Sequence, residues 1–379
     1  MRFERGWRSS AIPLVAAAAC GFLVLAPGQA RAAPFQKGRE DRPQTLQLPQ
    51  ELPAAVEGDI RRLAFYVTPL SAKGLLSQQI RNAVRELDRR AGSDTVLKIR
   101  AFVAGSGDVR RVRDLVSLLF TQRHQPLPAL SLVRSGGLAL EGAQVVLEAV
   151  ASSHRELNPH GLAFLSGQAA VSANPLDPVL PLLKQSLGSL REAVHAAGAT
   201  PGDVVQITCF ASSLADLAAA RTLVEGEFPR AAANYLQPQR APARAMAACE
   251  AVARLWADPG PLRFEKAAGL AAEPGQSQIA LVGARRVLLT GTQVSFGYEP
   301  GDARLAFERL GKGLEQAGSS LRNVAFAQYY SLAQSIAAQI RVVRQDFFDP
   351  ANPPAGSMVL FEGLTSMDAG FAVDVVAVK

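Results

Sequence analysis

Aromatic side chains and histidine are both scarce in this sequence. Aromatics account for only 6% of the 379 residues. Proteins that bind single-stranded nucleic acid stack bases on aromatic rings, so this composition argues against that function. The four histidines lie near no cysteine or acidic cluster, and no zinc-ligand spacing is present. We therefore expect no metal and no cofactor. The histidines are His124, His154, His160 and His195.

Long runs of charge of one sign are also missing. The short basic groups Arg89-Arg90 and Arg110-Arg111-x-Arg113 lie at helical positions and fit solvated helix faces. The first 32 residues hold four Arg and one Glu, so removing them lowers the formal net charge from +7 to about +4. A charge this small on a chain of this size does not favour a nucleic-acid partner.

The N-terminus has the three parts of a secretory signal. Arg2, Arg5 and Arg8 form a basic region, an apolar run covers residues 11–26, and Ala30-Arg31-Ala32 fits a small-x-small cleavage site. We predict a signal peptide over residues 1–32, cleaved before Ala33, and a periplasmic or secreted protein. An uncleaved anchor is the alternative, but the run is short for a bilayer span. We therefore expect no stable membrane span after cleavage.

The chain then shows the same order of predicted elements three times. Residues 33–58 form a Pro- and Gln-rich leader that we expect to be extended and mostly without secondary structure. Strand, helix, strand, helix and two strands then follow in each of three segments. These segments cover residues 59–153, 158–256 and 275–379. In the second segment, the predicted elements are strand 162–168, helix 178–197, strand 204–211, helix 214–228 and strands 231–236 and 243–253.

Two landmarks keep their register across the segments. The first helix of each segment ends in Ala-Gly, and the closing strand of each carries one acid inside an apolar run. The Gly-to-acid separations are 56, 52 and 56 residues. The repeat is therefore domain-sized, with a period of about 100 residues. An ionisable group in an apolar strand is costly unless it is paired, which favours a specific role for these acids as catalytic bases. The alternative is acids that backbone donors satisfy at a strand end or domain junction. The three acids are Glu148, Glu250 and Asp374.

The second segment resembles the RidA/YjgF family. Leu165-Ser166-Gly167-Gln168 is similar to the family's strand motif, and the helix of residues 187–199, the strand of residues 203–208 and Cys249-Glu250-Ala251-Val252-Ala253 follow in the family's order. Pro274-Gly275-Gln276-Ser277-Gln278 of the third segment is similar to the family's N-terminal Pro-Tyr-Ser-Gln segment. The first segment diverges most.

The resemblance implies an α+β, chorismate-mutase-like fold. Each of the three domains would be a mixed β-sheet backed by two helices. The three would pack as an intramolecular pseudo-trimer, so that the chain is a monomer. Family members are usually homotrimers that hydrolyse reactive imines and enamines in clefts between subunits. An arginine on the penultimate strand holds the substrate carboxylate there, and an acid on the last strand positions the attacking water.

This sequence keeps the acid and departs from the family at the arginine. Carried over, the acids Glu250, Glu148 and Asp374 would position water, but the arginine positions are occupied by Leu130, Ala233 and Gly356. None of these side chains can grip a carboxylate with a bidentate fork. The residues that would contact a ligand at a cleft edge are Ser166, Gly167, Gln168, Thr290 and Gly291. The alternative is a tight bend from strand to loop where glycine relieves crowding, and we favour it for the third segment.

The resemblance also bears on the two cysteines outside the signal. Cys209 lies on the middle strand of the second segment and Cys249 on its last strand, and in the family these strands are neighbours. A cross-strand disulfide is therefore our hypothesis for an oxidising compartment, and two buried free thiols are the alternative.

Two functions from different classes remain open. The first is a small-molecule-binding or interaction protein whose imine-deaminase clefts are degenerate. The second is a hydrolase of imine or enamine substrates that acts at a cleft around Glu250. A ribonuclease activity rests only on an old family label and the basic pI, and it has the least support.

Overall fold

The computed structural model describes residues 49–379 except 106, 107 and 272. The predicted signal peptide lies outside the described residues. None of the helices within this described part is long and apolar enough to cross a membrane. The fold is mixed α+β, with sheets and packed helices, as expected.

The part of the chain up to residue 152 forms the first set of elements. In order, these are β1 (Ala55–Asp59), β2 (Leu63–Val67), α1 (Leu76–Ala91), β3 (Thr95–Ala104), α2 (Val109–Gln122), β4 (Ala129–Ser135), β5 (Gly137–Leu138) and β6 (Val145–Ser152). Helix α1 buries Leu76, Ile80, Val84 and Leu87, which recur at helical spacing along one face.

Apart from short additional strands, the rest of the chain has the order strand, helix, strand, helix and two strands twice more. The second set is β7 (Leu162–Ser172), α3 (Val179–Ala196), β8 (Val204–Ala211), α4 (Leu217–Glu227), β9 (Ala232–Gln237) and β10 (Ala245–Arg254). The third set is β11 (Leu262–Glu265), β12 (Ile279–Val282), β13 (Arg286–Thr290), β14 (Gln293–Phe296), α5 (Pro300–Gln316), β15 (Val324–Ser331), α6 (Gln334–Val343), β16 (Ala355–Leu360) and β17 (Ala369–Val378).

Glycine ends the first helix of each set for a conformational reason. Gly92, Gly198 and Gly318 have φ values of 59°, 73° and 86°. This is the left-handed region that glycine adopts at little cost and that commonly terminates a helix. The shared Ala-Gly landmark therefore marks the same turn in all three sets.

Each set contributes the same four-stranded order to a sheet. The orders are β2-β6-β3-β4, β7-β10-β8-β9 and β13-β17-β15-β16. In each sheet one pair is parallel, namely β3 with β4, β8 with β9 and β15 with β16, and the other pairs of the path are antiparallel. A parallel pair needs a long crossover, and α2, α4 and α6 supply it.

Short strands extend two of the sheets with residues from another part of the chain. Strand β1 pairs with β13, β12 pairs with β7, and β5 pairs with β9. Residues 55–58 of the expected leader therefore lie in a strand, because the sheet edge of β13 satisfies their backbone groups. Similarly, the backbone N–H groups of Leu157 and Asn158 both donate to Arg61 O beside β2. These exchanges join the three sheets into one compact unit.

The apolar core has outer and inner parts. There are three outer clusters, one for each sheet, and each lies between the sheet and its own two helices. Two inner clusters draw residues from all three sheets: one contains Leu63, Phe164 and Phe326, and the other contains Phe102, Phe210 and Tyr330. The inner faces of the sheets therefore pack against one another and not against solvent.

Candidate functional site at the junction of the three sheets

The three acids of the closing strands occupy equivalent positions. Glu148 pairs in register with Arg100, Glu250 with Thr208 and Asp374 with Gln328, each on the middle strand of its own sheet. All six side chains are buried, and all six line a single cavity. The sheets thus bring the predicted acids together at one place between the two inner apolar clusters.

Glu148 is held mainly by residues of the second sheet. Its Oε1 accepts hydrogen bonds from Thr208 Oγ1 at 2.8 Å and Asn234 Nδ2 at 2.7 Å. Its Oε2 accepts from Arg100 Nε at 2.6 Å. Both oxygens of this carboxylate are therefore occupied by protein donors.

Asp374 is held mainly by residues of the first sheet. It forms a buried ion pair with Lys98, and its Oδ2 accepts from Ser131 Oγ at 2.6 Å and from Tyr330 Oη at 2.8 Å. Burial lowers the pKa of Lys98, although the charge of Asp374 favours the protonated amine. Burial, followed by the charge of Asp374, raises the pKa of Tyr330 well above its ordinary value, so this hydroxyl stays a donor.

Arg100 connects Glu148 with Glu250. Besides Glu148 it contacts Glu250 Oε1 through Nη1 at 2.8 Å, and its Nη2 donates to Thr208 Oγ1 at 3.0 Å. Burial opposes its charge, but Glu148 and Glu250 outweigh burial and raise the pKa of Arg100 well above its ordinary value. One guanidinium therefore balances parts of two carboxylates.

Sequence reasoning missed Lys98 and Arg100. A signal was available, because both cations lie at alternate positions of a strand that is otherwise almost wholly apolar, Thr95–Ala104. Alternate residues of a strand share one face. Two charges on one face of a buried strand indicate partners of opposite sign, although the sequence does not say which acids those are.

The positions of the family's arginine are equivalent in the structure as well. Leu130, Ala233 and Gly356 pair with Ile99, Ile207 and Ala327 on the neighbouring parallel strands. Leu130 belongs to an outer core cluster, and Ala233 packs against another. A Cβ atom on Gly356 would lie 2.3 Å from Ala327 O, so the backbone leaves no room for a side chain there.

Two of the predicted ligand-contacting residues of the second segment, Ser166 and Gly167, make contacts with the third, and Gln168 bonds within its own strand. Ser166 Oγ donates to Ser277 O at 2.7 Å and accepts from Gly356 N at 2.8 Å. Gly167 N donates to Ser357 Oγ at 2.9 Å. Gln168 Nε2 donates to Ser166 O at 2.9 Å. The donors and acceptors that would hold a ligand thus bind protein atoms.

Thr290 and Gly291 of the third segment lie against the first segment and the last strand. Thr290 Oγ1 accepts from Val375 N at 2.8 Å. Gly291 N donates to Ala54 O at 2.9 Å, and a Cβ on Gly291 would lie 2.8 Å from Leu130 O. The glycine permits a close backbone approach at this junction.

Cys209 and Cys249 face each other across neighbouring strands. They form a register pair of β8 and β10, and the structure joins their sulfur atoms. Both side chains are buried in the outer core of the second sheet. Within the described residues, no cluster of His, Cys, Asp and Glu has the arrangement of a metal site.

One protein-family model matches this chain, and the match lies in the second segment. Residues 152–257 match the model of the family described as Endoribonuclease L-PSP. No curated protein matches the chain.

Three of the solved structures that are similar to this chain come from different bacteria. A member of the YjgF protein family from Neisseria meningitidis is 17% identical, covering 31% of this chain and 94% of its own, with a TM-score of 0.24. The Rid-family protein YyfB from Yersinia pestis is 17% identical, covering 32% and 100%, with a TM-score of 0.28. TdcF from E. coli with bound serine is 22% identical, covering 26% and 82%, with a TM-score of 0.23. The match to the family model, over residues 152–257, covers the segment in which the sequence motifs are strongest.

Proposed function

We propose that this protein is an exported, noncatalytic binding protein, made of three RidA-type domains in one chain that pack as a pseudo-trimer. The recurrence of one element order and one sheet order in three segments supports the three copies. The two inner clusters, to which all three sheets contribute, support their packing around a common axis. The signal-like N-terminus supports export.

The observation that carries the noncatalytic assignment is the bonding of two of the three acids. Glu148 and Asp374 each accept hydrogen bonds from protein donors on both sides of the carboxylate, including one cation each. A base that positions water needs a free oxygen within hydrogen-bond reach of that water. In these two domains the acid serves instead to join one sheet to the next.

The junctions between domains support the same assignment. The arginine position is filled by a core leucine, a partly buried alanine that packs against the core, or a glycine without room for a side chain. At the junction of the second and third domains, Gly167 N is satisfied by Ser357. A substrate carboxylate would therefore find neither the guanidinium fork nor the free backbone donor.

A second candidate is hydrolysis of an imine or enamine at Glu250. One observation favours it: Glu250 Oε2 is buried and has no hydrogen-bond partner in the described part of the chain. Among the three acids this is the carboxylate with an oxygen left for water. Its neighbour Arg100 cannot replace the family's clamp without releasing Glu148, to which it donates at 2.6 Å.

An assay with freshly generated 2-imino acids separates the two candidates. We expect the purified protein to release ammonia, or to lower semicarbazone formation, no faster than its Glu250→Gln variant. Glu225→Gln is the matched control, because it makes the same change on an exposed carboxylate of α4. Turnover that is retained in Glu225→Gln and lost in Glu250→Gln would overturn the noncatalytic assignment.

A further inference from the structure

The cavity at the junction of the three sheets has a polar floor and apolar walls. Its volume is about 70 Å³, enough for several waters or a small organic group. Its walls are apolar side chains from all three sheets, and half-buried Phe65, Val150 and Gln206 mark the side that solvent reaches. Its charged lining residues are Lys98, Arg100, Glu148, Glu250 and Asp374.

The charges of the floor do not balance. Three carboxylates face two cations, which leaves a formal charge of −1 when all five groups are ionised. Lys98 pairs with Asp374, and Arg100 divides its contacts between Glu148 and Glu250. The excess negative charge therefore falls on the carboxylate that shares its cation and has fewest other donors, which is Glu250.

The bonding of Glu250 identifies the atom concerned. Its Oε1 accepts from Arg100 Nη1 at 2.8 Å and Gln328 Nε2 at 2.7 Å. Its Oε2 has no partner among residues 49–105, 108–271 and 273–379, and the residue is only 5% exposed. A buried polar atom without a partner is costly, and the cost is larger for a charged group. Glu250 lines the cavity, and its Oε2 is a buried carboxylate oxygen that lacks a partner among the described residues.

Three phenyl rings complete the surroundings. Phe65, Phe164 and Phe326 come from three different sheets and line the same cavity, and the centroids of Phe164 and Phe326 are 5.8 Å apart. The face of a phenyl ring attracts a cation, and more strongly where water is excluded. Phenyl rings that line the same cavity as an unpaired carboxylate favour an organic cation over an anion or a hard metal ion.

We propose that this cavity binds a small protonated primary amine. Its ammonium group donates a hydrogen bond to Glu250 Oε2, and its short alkyl chain packs against the phenyl rings. The N–H bond matters, because the free oxygen needs a donor as well as a positive charge. This inference gives the ligand class for the binding function proposed above and rests on that function.

Calorimetric titration of the purified full chain tests the occupant with three probes. We expect n-propylamine to bind, tetramethylammonium to bind more weakly because it has no N–H donor, and propionate, which has the opposite charge and similar size, not to bind. Equal heats from propylamine and propionate, or no heat from any amine at millimolar concentration, would overturn the proposal and leave water as the occupant.

Variants locate the site. Glu250→Gln should lower propylamine affinity by about 10- to 100-fold, since it replaces a charge-assisted hydrogen bond by a neutral one. Glu225→Gln, exposed on α4, should leave the affinity unchanged. Equal loss in both variants would place the amine elsewhere.

A third variant changes the affinity in the other direction. Lys98→Met removes a positive charge from the lining and should strengthen amine binding, whereas general damage to the fold would weaken it. Lowered affinity in folded Lys98→Met would contradict the charge argument.

A fourth variant tests the rings. Phe164→Leu, which keeps the site apolar but removes a ring, should weaken amine binding without changing the charge.

The outcome also separates this inference from the proposed function. Absence of amine binding together with absence of imine turnover would remove the amine and leave the noncatalytic assignment in place. Imine turnover that depends on Glu250 would remove the noncatalytic assignment, whatever the amine titration shows.

Discussion

Replacement of Arg100 by methionine tests whether the buried cluster joins the sheets. Arg100 donates to Glu148 Oε2 at 2.6 Å and to Thr208 Oγ1 at 3.0 Å, and it contacts Glu250 Oε1 at 2.8 Å. Methionine keeps an unbranched apolar chain but none of these contacts. The variant would leave two carboxylates buried without their shared cation.

The expected cost follows from that burial. Removing one partner of a buried ion pair typically costs about 3–5 kcal/mol, because the other charge stays buried and uncompensated. Glu148 retains Thr208 and Asn234, and Glu250 retains Gln328, so we expect Arg100→Met to lose about 3–5 kcal/mol of unfolding free energy. That is a large fraction of the roughly 5–15 kcal/mol that stabilises a typical domain.

Urea unfolding of matched variants measures this cost. Arg191→Met is the control, because Arg191 pairs with Glu227 at 3.1 Å on an exposed helix surface. Exposed ion pairs contribute less than about 1 kcal/mol, so this variant should unfold almost as the parent does.

A further variant separates uncompensated charge from lost packing. Arg100→Met combined with Glu148→Gln and Glu250→Gln should recover part of the loss, because the charges that lacked a partner are gone. Arg100 does not hold the sheets together as a shared cation if Arg100→Met costs no more than Arg191→Met, or if neutralising both acids recovers no stability.

Three further predictions concern titration and redox chemistry. Burial lowers the pKa of Lys98. Between that lowered value and 10.5, the unfolded chain therefore binds more protons than the folded chain. As pH rises through this range, the unfolding free energy of the parent should increase relative to that of Lys98→Met. Unfolding free energies of both proteins across pH measure this, and a falling difference would contradict it. Burial raises the pKa of three tyrosines to about 12, so native protein at about pH 11 should show less phenolate absorbance than unfolded protein, and equal absorbance would be inconsistent with their burial. These tyrosines are Tyr66, Tyr235 and Tyr329. Unfolded, unreduced protein that begins at Ala33 should show no reactive thiol, whereas two thiols would exclude the pairing of Cys209 with Cys249.

Local patterns in the sequence were sufficient to predict the regular elements that carry the site. The strand Val204–Ala211 has the predicted bounds, because an apolar run and turn residues mark both of its ends. The first helix of each set ends where its glycine takes a positive φ. These features depend on neighbouring residues, and neighbouring residues are what a single sequence shows.

Two of the strands that sequence reasoning missed depend on distant partners. Ala55–Asp59 pairs with Arg286–Thr290, more than two hundred residues away, and Gly137–Leu138 is two residues long and pairs with the second sheet. Nothing within these short segments distinguishes them from loops. Their strand conformation comes from the edge of another sheet, which supplies hydrogen-bond partners only after the chain has folded.

The candidate site was predictable only in part for a related reason. Apolar surroundings marked Glu148, Glu250 and Asp374 as acids with a specific role, but their cations belong to a strand of the first sheet alone. At the position of Arg100 the second sheet has Thr208, and the third has Gln328. The cluster is asymmetric, so it cannot be found by looking for residues that all three segments share.

That asymmetry follows from the proposed three copies in one chain. In an assembly of identical subunits, an arginine at this position would occur three times, and the structure brings the three equivalent side chains to the lining of one small cavity. Three guanidinium groups at such short range would repel one another strongly in a medium of low dielectric constant. A single chain can place one arginine there and give its two equivalents neutral hydrogen-bonding side chains, Thr208 and Gln328. One cation can then bind two acids, and the remaining oxygen of Glu250 is left for a ligand. On this argument, covalent linkage of the copies is what permits a single site at their common axis.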